Sequence, residues 1–564
     1  SGAMAAATLL SRILGMVREM FYMSFMGTGW VNDAFQIAFT IPNLFRRLLG
    51  EGALTAAFIP IFKEKEKLHG EQEMWRTANA VISGLVISAS VIIALVMLIV
   101  SLALAFGAPH PVVPAPAVDS LAQTVLSAPT NAVASAEPVV HFWTPGHFSE
   151  RTVLMLRLLR LMFPYMLLVC LAAALMGMLN ARGHFFIPAM GATMLNVVMI
   201  ASVWWLAPKF GVELPPEKKL PVQIFALAYG VLAAGVAQAS FQLPTLWRDG
   251  FRYRWVSPWR DATVQRVVRQ MIPGTIGVAA FQINVAMVYL LGFWVGPGIV
   301  SSFNGAVRLM ELPQGMFGIS LATFLLPTLA GLASEKKYPE FRATLRHGIA
   351  TLIFLNLIAS VLLVTLAEPI VRLLFERGAF SVVSTHHVAF ALQFLAPGLV
   401  MFSTVNILAR AFYALGDTTT PMKISIVCLA VNFVIACLLV SPLREGGPGL
   451  ANTLTSLINM GLLFFALRKK LGRLEMESLL AALFPLALAA AFAGVCAWCG
   501  WRSWENCLGH KTLALKIGAV FVPAGIAGGI YWAVALLCKV PAAKESTEFA
   551  LRRLRKHRPT NIQS

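Results

Sequence analysis

PYMLLVCLAAALMGMLNARGHFFIP, residues 164–188, and PGLVMFSTVNILARAFYALGDTTTP, residues 397–421, decide how this chain folds. Each opens on a proline, runs through an apolar stretch, breaks at a glycine and restarts towards a second proline. Pro164, Ala181, Gly183 and Pro188 recur as Pro397, Ala414, Gly416 and Pro421, each 233 positions later. Glycine just past a helix end and proline near the next start are the usual punctuation of helices. Each stretch therefore reads as a long apolar helix, a tight turn and a second apolar helix. About 20 apolar residues cross the roughly 30 Å of bilayer hydrocarbon, so these are membrane spans.

The rest of the chain agrees. Of 564 residues, 58% are hydrophobic and only 13% charged, where soluble domains carry about a quarter charged residues. That leaves too little polar surface for several water-facing domains. The formal charge of +19 does not point to nucleic acid, because Lys and Arg collect between apolar runs and at the C-terminus, as cytoplasmic loops do. Seven cysteines, an odd number lying mostly in apolar runs, exclude a disulfide framework. Cys496 and Cys499 form a lone CxxC without the further ligands a zinc site needs. The opening Ser1-Gly2-Ala3-Met4 reads as a tag remnant, and Arg12 and Arg18 in the first apolar segment argue against a cleaved signal peptide.

The expected fold is an all-α polytopic membrane protein with about fourteen transmembrane helices. They are placed near 4–26, 31–61, 77–107, 152–181, 185–207, 221–246, 264–295, 300–332, 347–367, 386–415, 420–442, 450–468, 478–501 and 513–538. With both termini cytoplasmic, the inside loops hold most of the Lys and Arg, and loop 108–150 holds none. Residues 108–149, rich in Pro, Ala, Val and Ser, read as an extracytoplasmic insertion. The basic tail (Arg552, Arg553, Arg555, Lys556, Arg558) reads as a topology and lipid-surface anchor. Ile41-Pro42-Asn43 also recurs as Leu312-Pro313-Gln314 at an offset of 271. The 38-residue difference between the offsets matches the insertion. These repeats imply two pseudo-repeated six-helix lobes, 1–250 and 251–470, around a central cavity, with two extra helices and the tail in 471–564. Parallel repeats of this kind are a transporter architecture.

Charges inside spans cost a few kcal/mol each and face a cavity or a partner. The first helices hold Arg12, Arg18, Glu19, Asp33, Arg46, Arg47 and Glu51; the eighth holds Arg308 and Glu311. Arg47 with Glu51 and Arg308 with Glu311 have the spacing of pairs on one helix face. The first two helices keep four arginines against three carboxylates. Two readings stay open: a cationic, anion-binding cavity suited to phosphate, and structural pairing. Gln282, Asn284, Asn406 and Asn432 are candidates for a coupling sodium ion or proton, or for interhelical hydrogen bonds.

The residues Ser11-Arg12-Ile13-Leu14-Gly15-Met16-Val17-Arg18-Glu19 resemble the first-helix motif of the MurJ (MviN) lipid II flippases. Asp33-Ala34-Phe35, Pro42 to Arg47, Glu51-Gly52-Ala53, Phe58-Ile59-Pro60, Arg308 to Gly315 and Phe412 to Pro421 are similar to that family too. The resemblance covers nearly the whole chain. It implies the multidrug/oligosaccharidyl-lipid/polysaccharide exporter fold, alternating access, and lipid II as substrate, flipped from the inner to the outer leaflet of the bacterial inner membrane in peptidoglycan biosynthesis. It also implies that Arg18, Arg46 and Arg308 are cavity arginines and Asp33 an essential carboxylate, the four assigned to substrate binding, and that helices thirteen and fourteen form a groove for the lipid tail. Glu19 departs from the aspartate many members carry. Arg12, Glu19, Arg47, Glu51 and Glu311 are assigned to gating or structural pairing. No cofactor or nucleic acid is expected, and the chain is expected to act as a monomer among membrane lipids. The alternatives are an exporter of another lipid-linked oligosaccharide or of drugs. An enzyme acting on polyprenyl diphosphates would want convergent carboxylates, which are few and scattered here.

Overall fold

Proline and glycine set the helix ends throughout. The computed structural model describes residues 2–47, 53–107, 143–144, 147–259, 261–472, 477–538, 540–544 and 547–548. Glu51, most of the 108–149 insertion and the basic tail lie outside them. The helices run α1 (Gly2–Met26), α2 (Trp30–Phe45), α3 (Ala53–Gly107), α4 (Glu150–Met162), α5 (Tyr165–Ala181), α6 (Phe186–Ala201), α7 (Pro216–Arg248), α8 (Ala262–Val295) and α9 (Ile299–Pro313). They continue as α10 (Ser320–Ser334), α11 (Tyr338–Thr365), α12 (Ala367–Phe375), α13 (Val382–Leu395), α14 (Gly398–Ala414), α15 (Thr419–Leu443), α16 (Gly446–Leu471), α17 (Glu477–Cys507) and α18 (Leu513–Leu537). Strand structure among the described residues is one antiparallel pair, Trp143–Thr144 with His147–Phe148.

Nine described helices are long and apolar enough to cross a membrane, or up to eleven if two bent pairs each count as one span. Fourteen were expected. The shortfall has local causes. Every eighteen-residue window of α1 contains Arg12, Arg18 and Glu19; α2 has only 16 residues; α8 contributes an apolar piece, Gln282–Val295. The expected loop 63–76 is helical and part of α3, interrupted at Gly70 (φ 84°). Pairs Lys63–Glu66 and Glu73–Arg76 at the i,i+3 spacing, 2.8 and 3.2 Å, support that helix.

The 233-residue repeat is present in the backbone. α4 and α5 meet at Pro164 with a 42° bend, and α13 and α14 meet at Pro397 with a 46° bend. The turns that follow are superimposable in their bonding. Gly183 (φ 88°) and Gly416 (φ 74°) take the left-handed conformation. The N–H of His184 donates to Leu179 O and that of Asp417 to Phe412 O, both 2.9 Å. The second repeat shows too: Gly27 and Gly298, 271 apart, are both left-handed, at φ 62° and 82°.

By its contacts the chain divides into two units: Ser1–Leu14 with Trp30–Thr275, and Gly15–Gly29 with Ile276–Ser564. This differs in two places from lobes bounded at 250. Residues 251–275 stay with the first unit, where Phe251 packs on Trp75, Asn79 Nδ2 donates to Arg252 O at 3.1 Å, and Ser83 bonds the Tyr253 hydroxyl at 3.1 Å. The second half of α1 joins the second unit through Thr28–Ser384 (2.7 Å) and Ala379 N to Ser24 O (2.7 Å). Gly378 makes that approach possible, because a Cβ there would lie 2.5 Å from Ser24 O.

α17 and α18 also belong to the second unit. Tyr531 stacks on Phe354 and donates to its carbonyl at 2.9 Å, within a core shared with Leu366, Ala493 and Ala527. Buried Arg372 on α12 adds an ionic clamp. It reaches Glu368 at 2.6 Å, Glu376 at 3.4 Å and Glu505 of α17 at 3.3 Å, while Lys516 of α18 reaches Glu376 at 3.2 Å.

Candidate functional site

In the second unit, α1, α8 and α9 build a charged cluster around one carboxylate. Glu19 is 1% exposed. Its Oε2 lies 3.5 Å from Arg18 Nη2 and 3.9 Å from Arg308 Nε. Its Oε1 accepts from Asn304 Nδ2 at 3.0 Å. Arg308 in turn donates through Nη1 to Glu311 Oε2 at 2.9 Å, one turn along α9. The Arg18 guanidinium lies over the Tyr22 ring at 5.3 Å. Asn304 and Arg308 share a face of α9 at the i,i+4 spacing. Gly305 lets the second half of α1 come close, since a Cβ there would meet Met23 Cε at 3.1 Å and Val388 at 3.3 Å.

The charge balance is uneven in a useful way. The Arg308–Glu311 bond is short, but its carboxylate side chain is 50% exposed and therefore solvated. The buried carboxylate holds both arginines at longer distances than the 2.7–2.9 Å of a strong charge-assisted bond. The cluster thus brings two guanidinium groups to one buried carboxylate.

In the first unit Asp33 on α2 is fully buried, and Arg151, 7% exposed at the start of α4, feels its charge. α2 and α4 pack together. Arg151 has no counterpart among the residues expected from sequence; its place beside a helix start reads as an interfacial anchor. Arg46 donates through Nε to Asn43 Oδ1 at 2.8 Å and lines a small recess with Gln238, Gln242, Met176 and Gly191. Gln242 Nε2 is committed to the carbonyls of Ala172 and Gln238, at 3.1 and 3.0 Å. Arg47 is half-buried and Arg12 exposed; the partner proposed for Arg47, Glu51, lies outside the described residues. α4 exposes Arg157 and Arg160, which sit within the expected span 152–181 and move its apolar part towards Pro164.

The structure thus groups Arg18, Glu19, Arg308 and Glu311 in one unit, and places Asp33, Arg46 and Arg47 in the other. Asn304 and Tyr289 were missed. Of the amide candidates, Asn406 donates to Phe402 O at 3.1 Å and Asn432 accepts from Thr455 at 3.2 Å. Among the described residues no three His, Cys, Asp or Glu side chains come together as a metal site.

Bent, repeated apolar helices carrying buried arginines define a polytopic membrane protein of the transporter class. A solved inward-facing MATE family multidrug resistance transporter of the MOP superfamily shares the fold, with TM-score 0.59 and 14% identity, over 84% of this chain and 99% of that one. A solved lipid II flippase MurJ, in an inward closed conformation, matches with TM-score 0.70 and 19% identity over 95% of this chain and 100% of that one. The chain belongs to the MurJ family: the family model described as lipid II flippase MurJ matches residues 22–126 and 117–517. A probable lipid II flippase MurJ of Rhizobium tropici is 32% identical over 94% of this chain and 92% of its own length. The lipid II flippase MurJ of Burkholderia cenocepacia is 31% identical, over 82% of each chain.

Proposed function

We propose that the protein is a lipid II flippase, moving an undecaprenyl-diphosphate-linked peptidoglycan precursor from the inner to the outer leaflet of the bacterial inner membrane. Membership of the MurJ family supports the substrate, and one observation carries the chemistry: buried Glu19 holds Arg18 and Arg308 at 3.5 and 3.9 Å, close enough to offset their charge and too far to bind them tightly. A diphosphate offers several anionic oxygens to the same guanidinium groups, in the bidentate geometry arginine prefers. Desolvating such a headgroup in bare hydrocarbon costs tens of kcal/mol in the idealised limit. Arginines that exchange a protein carboxylate for a substrate phosphate lower that barrier.

In this reading Arg18 and Arg308 hold the diphosphate in the second unit, and Arg46 is a further substrate contact in the first. Asp33, buried on α2, joins Arg46 as a substrate-binding residue of the first unit. Glu19 and Glu311 take the arginines back once substrate has left. The polyprenyl tail stays in lipid. Both termini lie in the cytoplasm, the chain acts as a monomer without a cofactor, and a cytoplasm-negative potential favours outward movement of the anion by about 2.3 kcal/mol per charge per 100 mV. A coupling ion, sodium or proton, is left unassigned.

The test is substrate choice in proteoliposomes. Fluorescent lipid II should become accessible at the far leaflet, unlabelled lipid II should compete, and cationic drugs should neither compete nor be expelled. Drug export, or competition only by an O-antigen-type lipid-linked oligosaccharide, overturns the reading.

A further inference from the structure

The cluster around Glu19 contains a neutral chain that the charges alone do not explain. Asn304 is 3% exposed and has both ends of its amide in use: Nδ2 donates to Glu19 Oε1 at 3.0 Å, and Oδ1 accepts from the Tyr289 hydroxyl at 3.2 Å. The direction of every bond is fixed by chemistry. An ionised carboxylate only accepts, so the amide must turn its Nδ2 to Glu19. The amide oxygen then faces Tyr289, whose hydroxyl must donate. The Tyr289 ring is itself set edge-on against Phe303, with centroids 6.2 Å apart. One oxygen of Glu19 is therefore claimed by an immobile neutral donor. The other, Oε2, faces both arginines at distances beyond a tight charge-assisted bond.

We propose that Asn304, backed by Tyr289, is a positioning residue: it locks the Glu19 carboxylate so that a single oxygen faces both Arg18 and Arg308 and can be exchanged for an anionic phosphate. This deepens the flippase reading and rests on it. Without Asn304, Glu19 is free to rotate and grip one arginine with both oxygens, which a diphosphate must then break. The 271-residue repeat makes the substitution pointed. Residue 304 corresponds to position 33, so the first unit carries a carboxylate, Asp33, where the second carries this amide.

Ionisable groups at the chain include Arg18 from α1, Arg308 from α9 and Tyr289 from α8; Glu311 accepts from Arg308, and α13 presents Val388 at Gly305. Replacing Asn304 by Asp thus sets a second carboxylate beside Glu19. Two adjacent carboxylates repel, so at low pH one of them keeps its proton. While that one is protonated, its O–H donates as the amide did. As pH rises and both ionise, the donor is lost and Glu19 is released.

The experiment is lipid II translocation by the full chain in proteoliposomes between pH 5.5 and 8.5, for wild type, Asn304→Asp, Asn304→Leu, Tyr289→Phe and Arg308→Ala, with monodispersity after detergent extraction as a folding control. Each variant is read as its rate relative to wild type at the same pH. Asn304→Asp should match wild type at low pH and fall about tenfold or more by high pH. Asn304→Leu should be reduced at all pH values, chiefly in turnover, and Tyr289→Phe reduced a few-fold. An Asn304→Asp profile parallel to wild type overturns the positioning role while leaving the flippase reading intact, provided Arg308→Ala is inactive. Should Asn304→Asp fail to fold, Tyr289→Phe decides, and wild-type turnover in that variant overturns the proposal. Absence of lipid II translocation by wild type removes the flippase reading itself.

Discussion

The two turns at Gly183 and Gly416 share a backbone and oppose each other in charge. In the first, the basic side chains stand on the turn: Arg182 reaches Glu66 at 2.6 Å and Glu71 at 2.9 Å, and His184 bonds Asp249 at 3.0 Å. In the second, the turn supplies the carboxylate. Asp417 accepts from Lys470 at 2.8 Å, from the Thr420 N–H at 3.0 Å and from the hydroxyls of Thr420 and Thr419. The same inversion of chemistry on a kept backbone recurs deeper in each unit. The first has a carboxylate, Asp33, whose charge acts on buried Arg151, whereas the second places Asn304 at the repeat-equivalent position and takes its carboxylate, Glu19, from α1. Proline and glycine preserve the scaffold, and polar side chains are free to diverge on it.

The sharpest way to break the comparison is in the buried charges. Arg151→Met should destabilise the first unit, because it removes a buried cation whose charge acts on that of buried Asp33. The double variant Asp33→Asn with Arg151→Met should recover most of that loss. Thermal unfolding of purified protein reads both, and additive losses would show that the two side chains do not interact. Next in size are the turns. A Cβ meets nothing within 4 Å at Gly183 or Gly416, so alanine should cost only the left-handed strain, about 1–2 kcal/mol, and equally at both. Unequal costs would mean the turns differ in more than charge.

The smallest effect belongs to the second turn's charges. The Lys470 ammonium, then the Thr420 N–H, hold the Asp417 carboxyl below the ordinary carboxylate range. Its stabilisation is therefore complete above the ordinary aspartate value, about 3.9, and is lost as pH falls through the depressed one. Lys470→Met should remove part of this acid dependence and, as the pair is partly exposed, cost under about 1 kcal/mol at neutral pH. Acid titrations of stability for wild type and variant check it.

Much of the fold was legible because proline, glycine and hydrophobic length carry it. The 233-residue offset anticipated both turns, while the bends at Pro164 and Pro397 fall inside spans read as single helices. In α1 the charges that build the cluster interrupt the apolar run, so length more than unbroken hydropathy marks it as a span. The 63–76 helix was misread as a loop because its charges look like solvent exposure, although their spacing suits a helix. Arg308 with Glu311 could be paired by spacing along one helix. Glu19 with Asn304, 285 residues apart, could not. An asparagine in an apolar helix carries no sign of the carboxylate it serves, and an arginine at a helix start reads as an anchor until its buried partner is seen.

The central claim is that Arg18 and Arg308 exchange Glu19 for a phosphate. Lipid II binding to the purified protein, compared among wild type, Arg308→Gln, Arg308→Lys and Glu311→Gln, tests it most directly. The account predicts at least about a tenfold loss of affinity for Arg308→Gln, partial retention for Arg308→Lys, and unchanged or tighter binding for Glu311→Gln, where a competing carboxylate is gone. Wild-type affinity in a well-folded Arg308→Gln protein would contradict it.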